Sequence, residues 1–351
     1  MKTEKIPVGV LGATGAVGQR FVQLLEGHPW FEVVEVAASD RSAGKRYREA
    51  CTWRLAGAIP AGVADRVVTG CQGPFRSKLL FSGLDSSVAG EVEADLAGRG
   101  HAVVSNSRNH RMDPDVPLLI PELNPDHLDA LALQRRRNSG GYIVTNPNCS
   151  VVGLAMALAP LHSTFGVEQA AVVTLQALSG AGYPGVASLD VADNVIPYIG
   201  GGEEEKIENE PRKILGTYRD GAFVPADFRV SASVHRVAVV DGHTMAILVR
   251  LRRRAAPAEA AEALAAFRGE PQERRLPFAP ERPIHVLDAP DRPQPRLDRD
   301  RERGMAVSVG RIREDALFDL KLEALVHNTI RGAAGVAILN GELLHARGLL
   351  P

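Results

Sequence analysis

The chain has 351 residues, and its 41 Lys plus Arg against 42 Asp plus Glu leave a formal net charge of −1. At roughly 150 residues per domain this length predicts two domains, and the balanced charge removes the global electrostatic case for a nucleic-acid or membrane partner. The three cysteines, Cys51, Cys71 and Cys149, lie outside any CxxC or Cys/His cluster, which argues against a disulfide framework or a metal site and fits a reducing cytoplasm.

Residues 1–7 run into an apolar segment broken at once by glycines, with no small-residue cleavage site, so no signal peptide is expected. The run 151–161 is one of the longest without polar side chains and is far shorter than the roughly 20 residues needed to cross a bilayer. The β-branched stretch Ile6–Leu11 predicts a buried strand ending at Gly12. Apolar residues at helical spacing over 17–25 predict a helix, and 31–37 reads as a second strand. Strand, glycine turn, helix and strand make a βαβ unit with a parallel sheet. Strands over Leu79–Ser82, Ala102–Ser105, 118–120 and Tyr142–Thr145, with a helix over 88–99, extend it into a doubly wound Rossmann-type sheet.

After Cys149 the pattern changes. A helix over 151–159 is expected to stop at Pro160, followed by a strand at 169–177, a glycine-rich stretch at 179–185 and a charged helix over 203–213. Alternating strands at 229–240 and 245–251 suggest a mainly antiparallel sheet with one covered face, hence an α+β second domain. An alanine-rich helix covers 253–267, and 271–303 reads as a surface excursion rich in Pro, Arg and Asp. The span 319–344 has the spacing of a long helix interrupted near Arg331 and Gly332. The domains are therefore expected at 1–148 and 149–324, with 325–351 returning to pack on the first.

Chemistry concentrates at four places. Gly12-Ala13-Thr14-Gly15-Ala16-Val17-Gly18 lies between strand and helix, where free amides and the helix dipole can receive a pyrophosphate. At the end of the second strand, Ser39, Arg41 and Ser42 suit a 2′-phosphate and favour NADP, whereas Asp40 in the same loop would favour NAD if it faced the ribose. Cys149 opens an apolar helix after Pro147 and Asn148, a position expected to lower its pKa and favour thiolate. A thiolate beside a nicotinamide is suited to attack an acyl phosphate or aldehyde, with hydride exchanged at the resulting thioester or hemithioacetal carbon. Arg236 and His243, on strands expected to be neighbours joined at Asp241-Gly242, supply an anion holder and an acid/base group.

Together these motifs resemble the aspartate-β-semialdehyde dehydrogenases of archaea and fungi. The resemblance covers nearly the whole chain and rests on the runs 9–18, 41–45, 105–112, 146–150, 203–207, Arg236 with Gly242-His243, and 291–296. It implies Cys149 as nucleophile, His243 as acid/base catalyst and Gln176 as an orienting residue. Arg236 would hold the substrate α-carboxylate, Glu210 the α-amino group, and Arg111 and Lys213 phosphate. The three-residue spacing of Glu210 and Lys213 puts them on one helix face. The implied reaction is NADPH-dependent reductive dephosphorylation of β-aspartyl phosphate to aspartate semialdehyde through a Cys149 thioester, on the route to lysine, threonine and methionine. A homodimer or homotetramer assembled through the second domain's sheet is also implied, with small molecules and phosphate as the other partners. Malonyl-CoA reductase, N-acetyl-glutamyl-phosphate reductase and a non-catalytic NADP sensor are the competing readings, and a cysteine hydrolase would need no dinucleotide.

Overall fold

The computed structural model describes residues 4–351, so the first three residues of the segment read for a leader lie outside the description. Six parallel strands form the first sheet, in the order Thr69–Gly70, Phe31–Ala38, Ile6–Leu11, Leu79–Ser82, Ala102–Ser105 and Tyr142–Thr145. The order reverses beside Ile6–Leu11, so the strand carboxyl ends open onto a crevice where such sheets bind ligands. The helices Ala16–Leu24 and Ser86–Gly98 follow the first and fourth of the strands in chain order. Asp85 caps the second of these helices by accepting from the Ser87 amide. Residues 118–120 do not form a strand: Leu118 makes one isolated parallel bridge to Thr145, because the chain turns at once into the Asn124 side chain, which satisfies the Ile120 amide and Leu118 carbonyl.

The second sheet has seven strands, in the order Ile284–Leu287, Val307–Glu314, Leu320–Val326, His243–Leu251, Val167–Gln176, Arg229–Arg236 and Ile196–Pro197. It is mixed, with parallel pairing of Arg229–Arg236 to Val167–Gln176 and of Ile284–Leu287 to Val307–Glu314. The expected neighbouring of Arg229–Arg236 and His243–Leu251 is therefore corrected: Val167–Gln176 lies between them. The register then brings Arg236 level with Gln176 and Leu175 level with Thr244, so one edge of the sheet gathers Gln176, Arg236 and His243.

The helix Cys149–Phe165 packs under this sheet and runs through Pro160 rather than stopping there. Proline costs it one backbone bond, but the helix is apolar on nearly every side and buried along most of its length, and burying Leu154, Met156, Leu158, Leu161 and Phe165 outweighs that loss. A second correction concerns 319–344. Its first part, Leu320–Val326, is a central strand, and only after a π-turn over Ile330–Ala334 does the helix Gly335–Ala346 begin.

That last helix lies against the first sheet, with Ile338, Leu339 and Leu343 buried in the same core as Val8, Phe81 and Val104. The 271–303 segment is likewise more than a surface excursion, because Leu276 and Phe278 enter the first core and Ile284 the second. Glu342 ties these parts together: its carboxylate meets His28 Nε2 at 2.7 Å and accepts the Phe278 amide at 3.0 Å. Beside the π-turn, Arg331 and Glu122 form a fully buried ion pair at 2.8 Å, and Arg331 also reaches the Met156 sulfur.

Removing one charge of a buried pair strands the other. Glu122→Gln is expected to lower unfolding stability by about 3–5 kcal/mol in urea titrations, and Glu122→Leu with Arg331→Met to recover most of that loss. Equal destabilisation of the single and double variants would contradict this account.

Candidate active site

Asn148 is the hinge-pin of the site. Its side-chain oxygen accepts the Ser150 amide at 2.9 Å and so caps the Cys149–Phe165 helix, while its side-chain nitrogen donates to Glu203 at 2.8 Å. Its backbone amide donates to Glu210 at 2.7 Å. Cys149 is thereby fixed at the first helical position, facing a cavity of about 340 Å³ between the two sheets. Arg108, Arg111, Gln176, Glu203, Lys206 and Arg236 line that cavity, together with Ala16 and Val17 from the glycine turn. His243 stands behind this wall, fully buried, with Nε2 3.1 Å from Cys149 Sγ.

The far side of the imidazole decides its protonation. Nδ1 accepts the Ala177 amide at 3.0 Å, so the neutral ring carries its proton on Nε2 and points it at the sulfur. Burial, reinforced by the Arg236 charge, pushes the His243 pKa down to about 3. The expected low-pKa thiol is corrected as well. Burial and then the Glu203 carboxylate push the Cys149 thiol up to about 12, and the opposing pull of Arg111, Arg236 and Lys206 does not compensate. The helix-start dipole is present, but desolvation outweighs it. The free protein thus holds a thiol beside a neutral imidazole that is already a donor.

Glu203 is the charge around which the rest is arranged. Its Oε1 accepts from Asn148 and from Gln176 at 3.1 Å, and its Oε2 accepts from Lys206 at 2.6 Å. Burial alone would raise this carboxyl, yet the Lys206 charge and the three donors hold it below the usual range. Gln176 also donates to Thr174 Oγ1, so its amide is pinned from two sides. The guanidinium of Arg236 donates to the Ala177 carbonyl and keeps its remaining donors for the cavity.

Glu210 and Lys213, expected to face the substrate, lie outside this cavity. Two helical turns beyond Glu203, Glu210 bridges Arg111 Nη1 at 2.9 Å and the Asn148 amide. Lys213 directs all three donors to the carbonyls of Arg111, Asp113 and Val116 at 2.8–2.9 Å, and burial pushes its pKa down to about 8. Glu203 and Lys206 hold the same three-residue spacing on the same helix and occupy the cavity in their place. That spacing was visible in the sequence twice, and nothing in it told which copy the fold would turn inward.

The dinucleotide cradle follows the glycine pattern. Gly12 has φ +67°, and a Cβ on Gly18 would sit 2.1 Å from the Gly12 carbonyl, so helix and turn approach as only glycine permits. Gly15 precedes the Ala16–Leu24 helix without a side-chain cap, leaving its first amides to an anion. Thr14, Gly15 and Ala16 line an adjoining cleft. Ser39, Arg41 and Ser42 form a turn at the carboxyl end of Phe31–Ala38, with the Ser42 amide bonded to the Ser39 carbonyl at 2.8 Å and Arg41 exposed.

A Rossmann-type sheet feeding a buried cysteine–histidine pair defines a dinucleotide-dependent enzyme of the thioester-forming dehydrogenase class. Family models agree, matching the NAD binding domain of semialdehyde dehydrogenases at residues 7–131 and their dimerisation domain at residues 158–331. The aspartate-semialdehyde dehydrogenase of Methanothermobacter thermautotrophicus is 50% identical over 345 residues, covering 97% of this chain and 99% of that one. That of Schizosaccharomyces pombe is 48% identical over 353 residues, covering 98% and 99%. The crystal structure of aspartate semialdehyde dehydrogenase with NADP from Candida albicans superposes with a TM-score of 0.92 at 44% identity, covering 99% of this chain and 100% of that one. The chain belongs to the aspartate-semialdehyde dehydrogenase family.

Two outcomes follow from these environments. Alkylation of Cys149 by iodoacetamide in the free protein should keep accelerating with pH and show no plateau below about pH 10; a plateau near neutrality would restore the thiolate picture. Lys213→Met leaves three buried carbonyls without their donor, and is expected to cost roughly 2–4 kcal/mol of unfolding stability while leaving KM for phosphate within twofold. A selective rise in that KM would return Lys213 to the substrate site.

Proposed function

We propose that this protein catalyses the NADPH-dependent reductive dephosphorylation of L-aspartyl-4-phosphate to L-aspartate-4-semialdehyde and phosphate, a step toward lysine, threonine and methionine. The observation that carries this reading is a single cavity beside a glycine turn that Cys149 faces with His243 behind it, and that Arg236, Glu203 and three further cations, Arg108, Arg111 and Lys206, line. Arg236 takes the substrate α-carboxylate and Glu203 its α-ammonium, in place of Glu210. Arg111 and Lys206 take the phosphoryl group, with the buried and unpartnered Nε of Arg111 as an additional donor.

Substrate ammonium at Glu203 offsets the charge that, after burial, most opposes thiolate in the free protein. The Cys149 sulfur then attacks the acyl carbon, the C–O bond to phosphate breaks, and phosphate leaves toward Arg111 and Lys206 with that electron pair and the proton of the thiol. When bound, NADPH supplies hydride to the thioester carbon. His243 Nε2–H hydrogen-bonds the oxyanion of the tetrahedral adduct on Cys149; the oxyanion re-forms its carbonyl as the C–S bond breaks, and His243 relays to the leaving sulfur the proton that the reduction takes from solvent. Gln176, held by Glu203 and Thr174, orients the acyl group.

The cofactor's pyrophosphate rests on Gly12, Thr14, Gly15, Ala16, Val17 and Gly18, and its 2′-phosphate on Ser39, Arg41 and Ser42, which makes NADP the partner. The division of labour runs from a dinucleotide unit at 1–148, completed by 325–351, to a catalytic and dimerisation unit at 149–324. The uncovered face of the second sheet, where Val173 and Leu175 are 38% and 40% exposed, is the surface for a homodimer or homotetramer. Free cysteines suit a reducing cytoplasm. Malonyl-CoA reductase, an N-acetylated substrate and a non-catalytic sensor are less well served: Glu203 and Arg236 together fit a free α-amino acid.

The decisive assay is phosphate-dependent reduction of NADP by aspartate semialdehyde. Wild-type protein should turn over, and Cys149→Ser should lose activity by several orders of magnitude while still gaining thermal stability from NADPH. Turnover only with a coenzyme A thioester would replace this function by malonyl-CoA reduction.

A further inference from the structure

Among the cations around the cavity, Arg108 and Arg236 have no carboxylate partner, and of these two only Arg108 is exposed. Lys206 is paired with Glu203, and Arg111 with Glu210 and the Asn106 carbonyl. Arg108 is exposed and its guanidinium makes one bond, to the backbone carbonyl of Gly201 at 2.8 Å. That bond crosses from the first unit to the second. It also forms a partition: Arg108, Arg111 and Lys206 line both the catalytic cavity and a second, more open cleft on the outer side, which Met112, Gly201 and Glu205 complete.

The acceptor on the other side is built to yield. Gly200, Gly201 and Gly202 all have left-handed backbones, with φ of +73°, +64° and +69°, immediately before the helix that carries Glu203 and Lys206. Glycine alone adopts this conformation at little cost, so the Gly201 carbonyl can turn away without straining the helix. A neutral carbonyl is also a poorer acceptor for a guanidinium than a phosphate dianion, which adds the attraction of opposite charges and can take two parallel N–H bonds from the planar fork.

We infer that Arg108 is a phosphate-binding residue that leaves the Gly201 carbonyl for a phosphate oxygen and thereby opens the outer cleft as the passage for phosphate. This rests on the functional reading above. It assigns the phosphate subsite a movable third cation beside the two fixed ones, Arg111 and Lys206, and no bond to the substrate's amino acid end.

Steady-state oxidation of aspartate semialdehyde with inorganic phosphate as the varied substrate tests it, using Arg108→Met and Arg108→Lys. Arg108→Met is expected to raise KM for phosphate by about tenfold, with KM for the semialdehyde and Kd for NADP within twofold. Arg108→Lys, which keeps the charge and loses the fork, should recover part of the difference. An unchanged KM for phosphate, or an equal rise in all three constants, overturns the proposal. Titration calorimetry of inorganic phosphate into the NADP-loaded protein separates it from the functional reading. If wild type binds phosphate but does not turn over, the reaction assignment falls, and an equal phosphate affinity in Arg108→Met then sinks the role of Arg108 as well.

Discussion

The structure depends on how the chain anchors one residue, Asn148. A helix that begins at a reactive sulfur has unsatisfied amides next to that sulfur, and here the Asn148 side chain supplies the acceptor they need. The same residue donates twice into the Glu203–Ile214 helix, to Glu203 and Glu210. Glu210 in turn holds Arg111, which comes from the loop after Ala102–Ser105. One asparagine therefore sets the distance between the nucleophile, the acidic helix and the cation loop. The cavity is the space left between three elements that this residue ties together.

Within that frame the imidazole is prepared as a donor. The Ala177 amide occupies Nδ1, and a second ring proton could enter only by displacing it. The amide position follows from the register that sets Gln176 beside Arg236 and Leu175 beside Thr244. Sheet pairing, rather than a titrating partner, thus decides the tautomer, while burial first and the Glu203 carboxylate second hold the sulfur as a thiol. In the proposed reaction the carboxylate that meets the substrate ammonium is also the charge that most disfavours thiolate, so recognition and activation act through one group.

Much of this was legible in the residues. Five strands of the first sheet were marked by short apolar runs between glycine and capping signals, and Leu79–Ser82, Ala102–Ser105 and Tyr142–Thr145 lie where the pattern put them, while the two-residue edge strand Thr69–Gly70 carried no such run. Cys149, Arg236 and His243 could be named because each is an uncommon residue type at a strand or helix end, whereas Gln176 followed only from the family resemblance. The failures share one physical cause, that local pattern does not report tertiary partners. Pro160 reads as a stop because proline costs a helix a bond, and only the enclosing core shows why the helix continues. Leu320–Val326 carries apolar residues spaced for either period, and the two strands flanking it decide the matter. Glu203-Lys206 and Glu210-Lys213 are the same signal twice on one helical face, and the direction in which the helix enters the site chooses between them.

The path of the chain has a consequence for how the molecule comes into being. Residues 335–346 supply Ile338, Leu339 and Leu343 to the core of the sheet that begins at Ile6, and Glu342 links them to His28 and Phe278. During synthesis, which proceeds from the amino end, the nucleotide-binding half must wait with an open hydrophobic flank until residues 335–346 leave the ribosome. The enzyme is therefore assembled like a parcel whose last fold of paper closes the first.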